Sequence, residues 1–328
     1  MMPSRRIIPE MVLLLLGMIW CLPGCGGHQS DTAVAPEVNS VTSAPVSNSP
    51  TPATTGDGSF PVTVTDARGK QIVLKAAPKH IVTLTPSLTE IVYALHLGDR
   101  LVADTISCDY PSEARQKPHV DPLHPDREKI EVYAPDLVLA QAKLNSPTLI
   151  DALEHDHIPV FVVSANTLED TYRAIRAVGE ATGTPKRAES LSQQMRAQID
   201  LIKLTVARAK DRPKVLIMYG DGPIYTTGPD SYITDVINAA GGQNIVTVPP
   251  QNGAISSSVV VERQPDVIIC DPMLVDKAKN LPGWSVVPAI KNDRFFHTSN
   301  KTTLVRPGPR LPIAVEELAR YLHPTLLK

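Results

Sequence analysis

Four cysteines in 328 residues are too few for a disulfide scaffold. Cys21 and Cys25 sit together near the front, and only Cys108 and Cys270 belong to the rest of the chain. Packing, not cross-linking, must therefore hold any fold. An excess of charge is missing as well. Thirty-two basic and 34 acidic residues leave a formal net charge of −2, which argues against nucleic acid or another polyanion as partner. Aromatics make up only 4%. No apolar run is long enough to span a bilayer: the longest, Met11 to Trp20, has ten residues. Catalytic signatures are absent too, since there is no G-x-S-x-G, H-E-x-x-H, phosphate loop or G-x-G-x-x-G. No cofactor is expected, and the chain reads as a non-enzyme. His80, His96, His119, His124, His155, His157 and His297 are scattered without an H-x-x-x-H pair. His119 and His124 on one loop keep a zinc or manganese reading open.

Residues 1–24 have the form of an export signal: Arg5 and Arg6, then the short apolar core. Leu22-Pro23-Gly24-Cys25 resembles the lipobox of bacterial lipoproteins, which implies lipidation of Cys25 as the new first residue. Residues 25–59 are rich in Ser, Thr, Pro, Gly and Ala and offer nothing to bury, so a disordered tether is expected. The protein should then be exported and lipid-anchored, facing the periplasm or the cell exterior.

The body reads as α/β. Ile81-Val82-Thr83-Leu84 is a buried strand, followed by the turn Thr85-Pro86-Ser87. Ser87 and Glu90 have capping-box spacing, Leu88, Ile91, Val92 and Leu95 form a helical stripe, and Gly98 is the expected left-handed stop. Strands at 101–103, 136–140 and 160–163 alternate with helices at 145–153 and 168–181, so residues 60–184 form one lobe around a parallel sheet. Residues 185–210 lack interior Gly and Pro and carry Leu191, Met195, Ile199, Ile202 and Val206 in one stripe. This helix would run about 39 Å, longer than one lobe requires. Residues 211–328 repeat the alternation, with strands at 214–219, 244–246 and 295–297. Ala134-Pro135-Asp136-Leu137-Val138 is echoed by Gln264-Pro265-Asp266-Val267-Ile268. The expected fold is two Rossmann-like lobes with parallel sheets joined by a single long helix.

The runs PKHIVTLTPSLTEIVYALHLGD, CDYPSEA, APDLVLA, NAAGGQNIV, RQPDVIIC and RPGPRLPIAVEELARYLHP together resemble the periplasmic binding proteins of cobalamin and ferric-siderophore ABC importers. The resemblance spans residues 61–324. It implies a receptor, monomeric, that holds a bulky metal chelate (corrinoid, ferric siderophore or haem) between its lobes and delivers it to an ABC permease with a cytoplasmic ATPase. Where relatives would carry aromatics against a corrin, Ser107, Pro122 and Asn252 stand here, and only Tyr225 keeps a ring. That points to a chelate-type solute more than to cobalamin itself. Cleft candidates are Thr85, Pro86, Ser107, Tyr110, Tyr219, Asp221, Tyr225 and Arg306. Arg306 and Arg310 suit carboxylate or phosphate groups of a ligand, although for Arg310 packing and pairing with the last helix is the slightly favoured reading. Cys108 and Cys270, one per lobe, read as small buried hydrophobes rather than a soft-metal pair. The resemblance also places a permease-docking carboxylate at Glu128 and leaves its second-lobe counterpart as Ser258. A zinc or manganese receptor and an exported ligand-processing enzyme are the alternatives.

Overall fold

The computed structural model describes residues 58–121, 126–220 and 222–327, all within one compact unit, Ala53–Lys328. The expected export signal, Cys25 and the expected tether up to residue 57 lie outside the described residues, as do Pro122, His124 and Asp221, while Gly58 at the tether's end donates its N–H to the Gly183 carbonyl. Among the described residues no helix is long and apolar enough to cross a membrane.

The body opens with a hairpin, β1 (Val62–Thr65) and β2 (Gln71–Leu74), that the sequence reading passes over. Its alternation buries Val64, Ile72 and Leu74. The first lobe then runs β3 (Ile81–Thr83), α1 (Pro86–Ala94), β4 (Leu101–Thr105), β5 (His119–Val120), α2 (Arg127–Glu131), β6 (Leu137–Gln141), α3 (Pro147–His155), β7 (Val160–Val163) and α4 (Leu168–Thr182). Its five strands are parallel in the order β5-β4-β3-β6-β7. After α5 (Pro185–Val206) the second lobe runs β8 (Lys214–Met218), β9 (Ile224–Tyr225), α6 (Tyr232–Ala239), β10 (Gln243–Asn244), β11 (Ala254–Ile255), α7 (Ser257–Arg263), β12 (Val267–Cys270), α8 (Val275–Lys279), α9 (Pro288–Lys291), β13 (Phe295–Phe296) and α10 (Leu311–Leu322). Its parallel sheet has the order β10-β8-β12-β13, and β9 pairs with β11 in a small antiparallel ribbon. The expected fold class, two α/β lobes with parallel sheets, therefore holds.

The Pro-Asp echo has a physical content. Asp136 accepts hydrogen bonds from the backbone N–H of Lys79 and His80, and its own N–H bonds the His80 carbonyl. Asp266 accepts from the Lys214 N–H and donates its N–H to the Lys214 carbonyl. In each lobe one aspartate at the start of a strand fixes its register against the central strand.

Several local expectations change. Helix α1 starts at Pro86 with Thr85 as N-cap, so Ser87 and Glu90 are buried inside the helix and form no capping box. Proline at the first helical position needs no N–H partner and presets the helical φ, which moves the start ahead of Ser87. The left-handed residue after α1 is His96, not Gly98. Gly98 is needed for another reason: a Cβ there would lie 2.5 Å from the Tyr93 ring. The true capping box is Thr167 with Asp170 at the start of α4, which Gly183 ends in the left-handed conformation. Helix α3 starts at Pro147 rather than Asn145, whose side chain is used elsewhere. Helix α5 ends at Val206, four residues short of the expected 210, giving a rod of about 33 Å.

Helix α5 buries Ala188, Met195, Ile199, Ile202 and Val206 in an apolar cluster that continues without a break through both lobes. Two smaller clusters cover the other faces of the two sheets. Helices α4 and α5 approach so closely that a Cβ on Gly179 would fall 2.2 Å from the Ala188 Cβ.

Candidate ligand site

Segments that follow strands of one sheet touch segments that follow strands of the other. Asn166, after β7, accepts the Tyr232 N–H at 2.6 Å, and Asp235 on α6 accepts the Leu168 N–H at 2.8 Å. At the far side Arg306, beyond β13, reaches the loop that follows β4. The carboxyl edges of the two sheets therefore face each other, which is where open α/β sheets take ligands.

This facing rim carries apolar side chains that the core does not cover. Ile106 is 71% exposed, Leu144 63% and Met273 78%, each just beyond the end of a strand, and Tyr219, Tyr225 and Val305 are half-exposed. Exposed apolar groups at the carboxyl ends of strands in both sheets mark a contact surface. Tyr219 and Tyr225 are held side by side by the Tyr219 N–H bonding the Tyr225 carbonyl at 2.9 Å.

An ionic cluster bridges the lobes beside this rim. Glu90 of α1 is almost fully buried, and its carboxylate takes both nitrogens of an Arg310 fork, Nε to Oε2 at 2.8 Å and Nη2 to Oε1. Arg306 Nη1 lies 3.1 Å from Glu90 Oε1 and 2.5 Å from Asp109 Oδ1, while its Nη2 donates to the Ser107 carbonyl at 2.8 Å. Arg310 is further satisfied by the hydroxyls of Thr302 and Thr303 and stacks over the Tyr110 ring at 4.2 Å. Two guanidinium groups meet two carboxylates, so the cluster is neutral. Arg310 does not pair with its own helix, and the Arg306 fork is engaged by the opposite lobe.

Thr85 and Pro86 sit at the floor on the first-lobe side. The Thr85 hydroxyl is 3.2 Å from that of Ser87, and Ser87 donates to Gln141 Oε1 at 3.0 Å. Asn145 accepts the Gln141 N–H and donates to the Leu84 carbonyl, filling the gap between the ends of β3 and β6. Thus Thr85, Pro86, Ser107, Tyr110, Tyr219, Tyr225 and Arg306 share one rim. Glu128 and Ser258 do not: each lies exposed in the first turn of the helix before a Pro-Asp strand, α2 and α7. The sequence reading missed Glu90, Gln141 and Asn145. Glu90 left a signal, because an acid inside an otherwise apolar helical stripe needs a cationic partner.

Both body cysteines are free and buried. Cys108 Sγ lies 3.2 Å from the hydroxyls of Thr89 and Thr105, and burial raises its pKa. Burial, helped by the charge of Asp271, pushes the Cys270 thiol up to about 11. Neutral thiols in such surroundings behave as small hydrophobes. Among the described residues no three His, Cys, Asp or Glu side chains converge to hold a metal ion. His119 instead bonds Asp104 at 2.6 Å, and burial raises that carboxyl to about 6 despite the histidine.

Residues 81–302 match the periplasmic binding protein family Peripla_BP_2. The chain belongs to this family. An uncharacterized ABC transporter substrate-binding lipoprotein of Bacillus subtilis (strain 168), YvrC, is 31% identical over 266 residues, covering 79% of this chain and 84% of YvrC. Among solved structures, this periplasmic binding protein resembles the apo form of the periplasmic heme-binding protein RhuT from Roseiflexus sp. RS-1. The TM-score is 0.68 at 26% identity, over 75% of this chain and 98% of that one. The periplasmic vitamin B12 binding protein BtuF of Vibrio cholerae matches with TM-score 0.64 at 27% identity, over 75% and 97%. These two-lobed neighbours share the architecture described above.

Proposed function

We propose that this periplasmic binding protein is the solute receptor of an ABC importer and holds a bulky metal chelate, a corrinoid, haem or ferric siderophore, between the facing sheet edges. The observation that carries the reading is the rim itself: apolar side chains exposed at the carboxyl ends of both sheets, beside a charge cluster that is already neutral. Such a surface suits the broad faces of a chelate better than a small ionic solute. The heme- and B12-binding names of structural neighbours support the same class. Lipidation at Cys25 would tether the receptor to the membrane, and the exposed first turns carrying Glu128 and Ser258 would meet the permease. The solute is carried, not converted.

The test is a titration of the mature protein, from residue 25 onward, with cyanocobalamin, hemin and ferrichrome, read by calorimetry and by the fluorescence of its single tryptophan, Trp284 in the second-lobe core. One class should bind with 1:1 stoichiometry and be recovered unchanged. Failure of all three to bind, alongside tight zinc binding or turnover of a chelate, overturns the reading. Replacing Cys25 with Ser should abolish fatty-acid labelling.

A further inference from the structure

In the first lobe the crevice where strand order reverses, between β3 and β6, is filled by Gln141 and Asn145. Its counterpart in the second lobe, between β8 and β12, is open. A cavity of about 240 Å³ lies at the ends of β8, β12 and β13. Its inner wall is Ile217, Met218, Ile269, Cys270 and Leu304, all buried, and its mouth passes between half-exposed Tyr219 and Val305 on the rim. Superposing the two Pro-Asp strands by sequence puts Asp271 where Gln141 stands. The Asp271 carboxylate turns outward, accepting the Met273 N–H at 2.9 Å and facing Lys301 at 3.6 Å, so nothing from β12 fills the space. The Thr298 hydroxyl at the edge is spent on the Asn300 carbonyl. His297 and Lys301 line the outer side with Asp271, so the polar groups stand toward the opening and the buried inner wall is apolar. Apolar cavities of roughly 150 Å³ already accept benzene.

We infer that this cavity is a subsite for an apolar, ring-sized substituent of the solute, which enters from the rim past Tyr219 and Val305. The inference rests on the reading of the rim as the solute site and adds to it a feature of the solute: one compact apolar arm projecting into the second lobe. Val305, half-exposed at the mouth, sets access, and the switch-point position of the cavity is the usual place for such selection.

The experiment uses full-length protein carrying ¹³C-methyl methionine, with benzimidazole as the probe. Benzimidazole should shift the Met218 methyl resonance saturably and leave that of Met195, buried on α5, unmoved. Val305→Trp, a plug at a half-exposed position, should weaken this binding on the order of tenfold or more by denying the probe its apolar burial. An unmoved Met195 resonance shows that the variant is folded. A Met218 resonance that does not respond up to the solubility limit of the probe, or an identical saturation curve in Val305→Trp, overturns the subsite. In parallel, Val305→Trp should weaken cyanocobalamin, which carries a benzimidazole arm, more than cobinamide, which lacks it. Where both corrinoids bind the wild type, an equal loss of affinity for the two overturns the subsite. If benzimidazole shifts Met218 and no chelate binds, the subsite stands and the chelate reading falls.

Discussion

Glu90 shows how one buried acid can decide the relation of two lobes. It is nearly sealed from water between Arg306 and Arg310, which come from the other end of the chain. Such a cluster contributes little net stability when intact, because desolvation offsets much of the attraction. Removing one member is different, since it strands buried charge. Glu90→Gln should cost about 3 kcal/mol in urea denaturation, whereas Glu90→Leu with Arg310→Met should recover much of that loss. A change within about 1 kcal/mol in Glu90→Gln would show that the pair behaves as a solvated surface bridge. Asp104 offers a second residue-scale test. Burial raises its folded carboxyl to about 6 from an ordinary value of 3.8, so the folded state holds the proton more tightly than the unfolded one. The contribution is therefore greatest in acid and is lost as pH rises from about 4 to about 6, by a few kcal/mol at most. Asp104→Asn should gain on the wild type across that window when urea midpoints are compared. Parallel curves would sink the idea.

At the scale of elements, the close approach of α4 to α5 rests on Gly179 facing Ala188. Gly179→Ala should force the helices apart and cost about 1–3 kcal/mol. Adding Ala188→Gly should restore room, less the cost of about 1 kcal/mol for a helical glycine. Thermal midpoints of the two variants measure both steps; a Gly179→Ala protein as stable as the wild type would mean the helices tolerate separation. Elements of this kind were legible. The stripe from Met195 to Val206 and the runs before β6 and β12 carry their period in local sequence. Helix boundaries were less so, because Pro86 moved the start of α1 past a plausible capping pair. The hairpin β1–β2 was overlooked although Val62, Val64, Ile72 and Leu74 alternate cleanly. The rim was legible as loops after strands, for which Thr85 and Tyr219 sufficed. The pairing of Glu90 with Arg306 joins residues 216 positions apart, and no local pattern contains it.

For the whole molecule, the proposed docking positions and the proposed solute rim are different surfaces. Glu128 lies in the first turn of α2, away from the rim, and Ser258 occupies the matching turn of α7, where its hydroxyl is 2.8 Å from that of Ser256. A lopsided contact follows if a permease reads these two turns, with one charge on the first lobe and a hydroxyl on the second. Glu128→Ala should slow uptake in reconstituted vesicles and reduce its salt dependence, since peripheral charges act chiefly on encounter. Chelate affinity should not change. Normal uptake at low and high salt would leave Glu128 as a helix-end residue.

The apolar cluster that runs from the first sheet along α5 to α10 has a consequence for how the chain comes apart. A molecule assembled from two halves with separate cores would melt in two steps, and a protease would release the sturdier half. Here the largest core is shared between the halves, because Ile199, Ile202 and Val206 pack in the same cluster as Leu88 and as Leu318, and each half keeps only a smaller cluster of its own. Loss of either half exposes the face of the other, so unfolding should be a single cooperative transition, and limited proteolysis should destroy the body without leaving a surviving lobe.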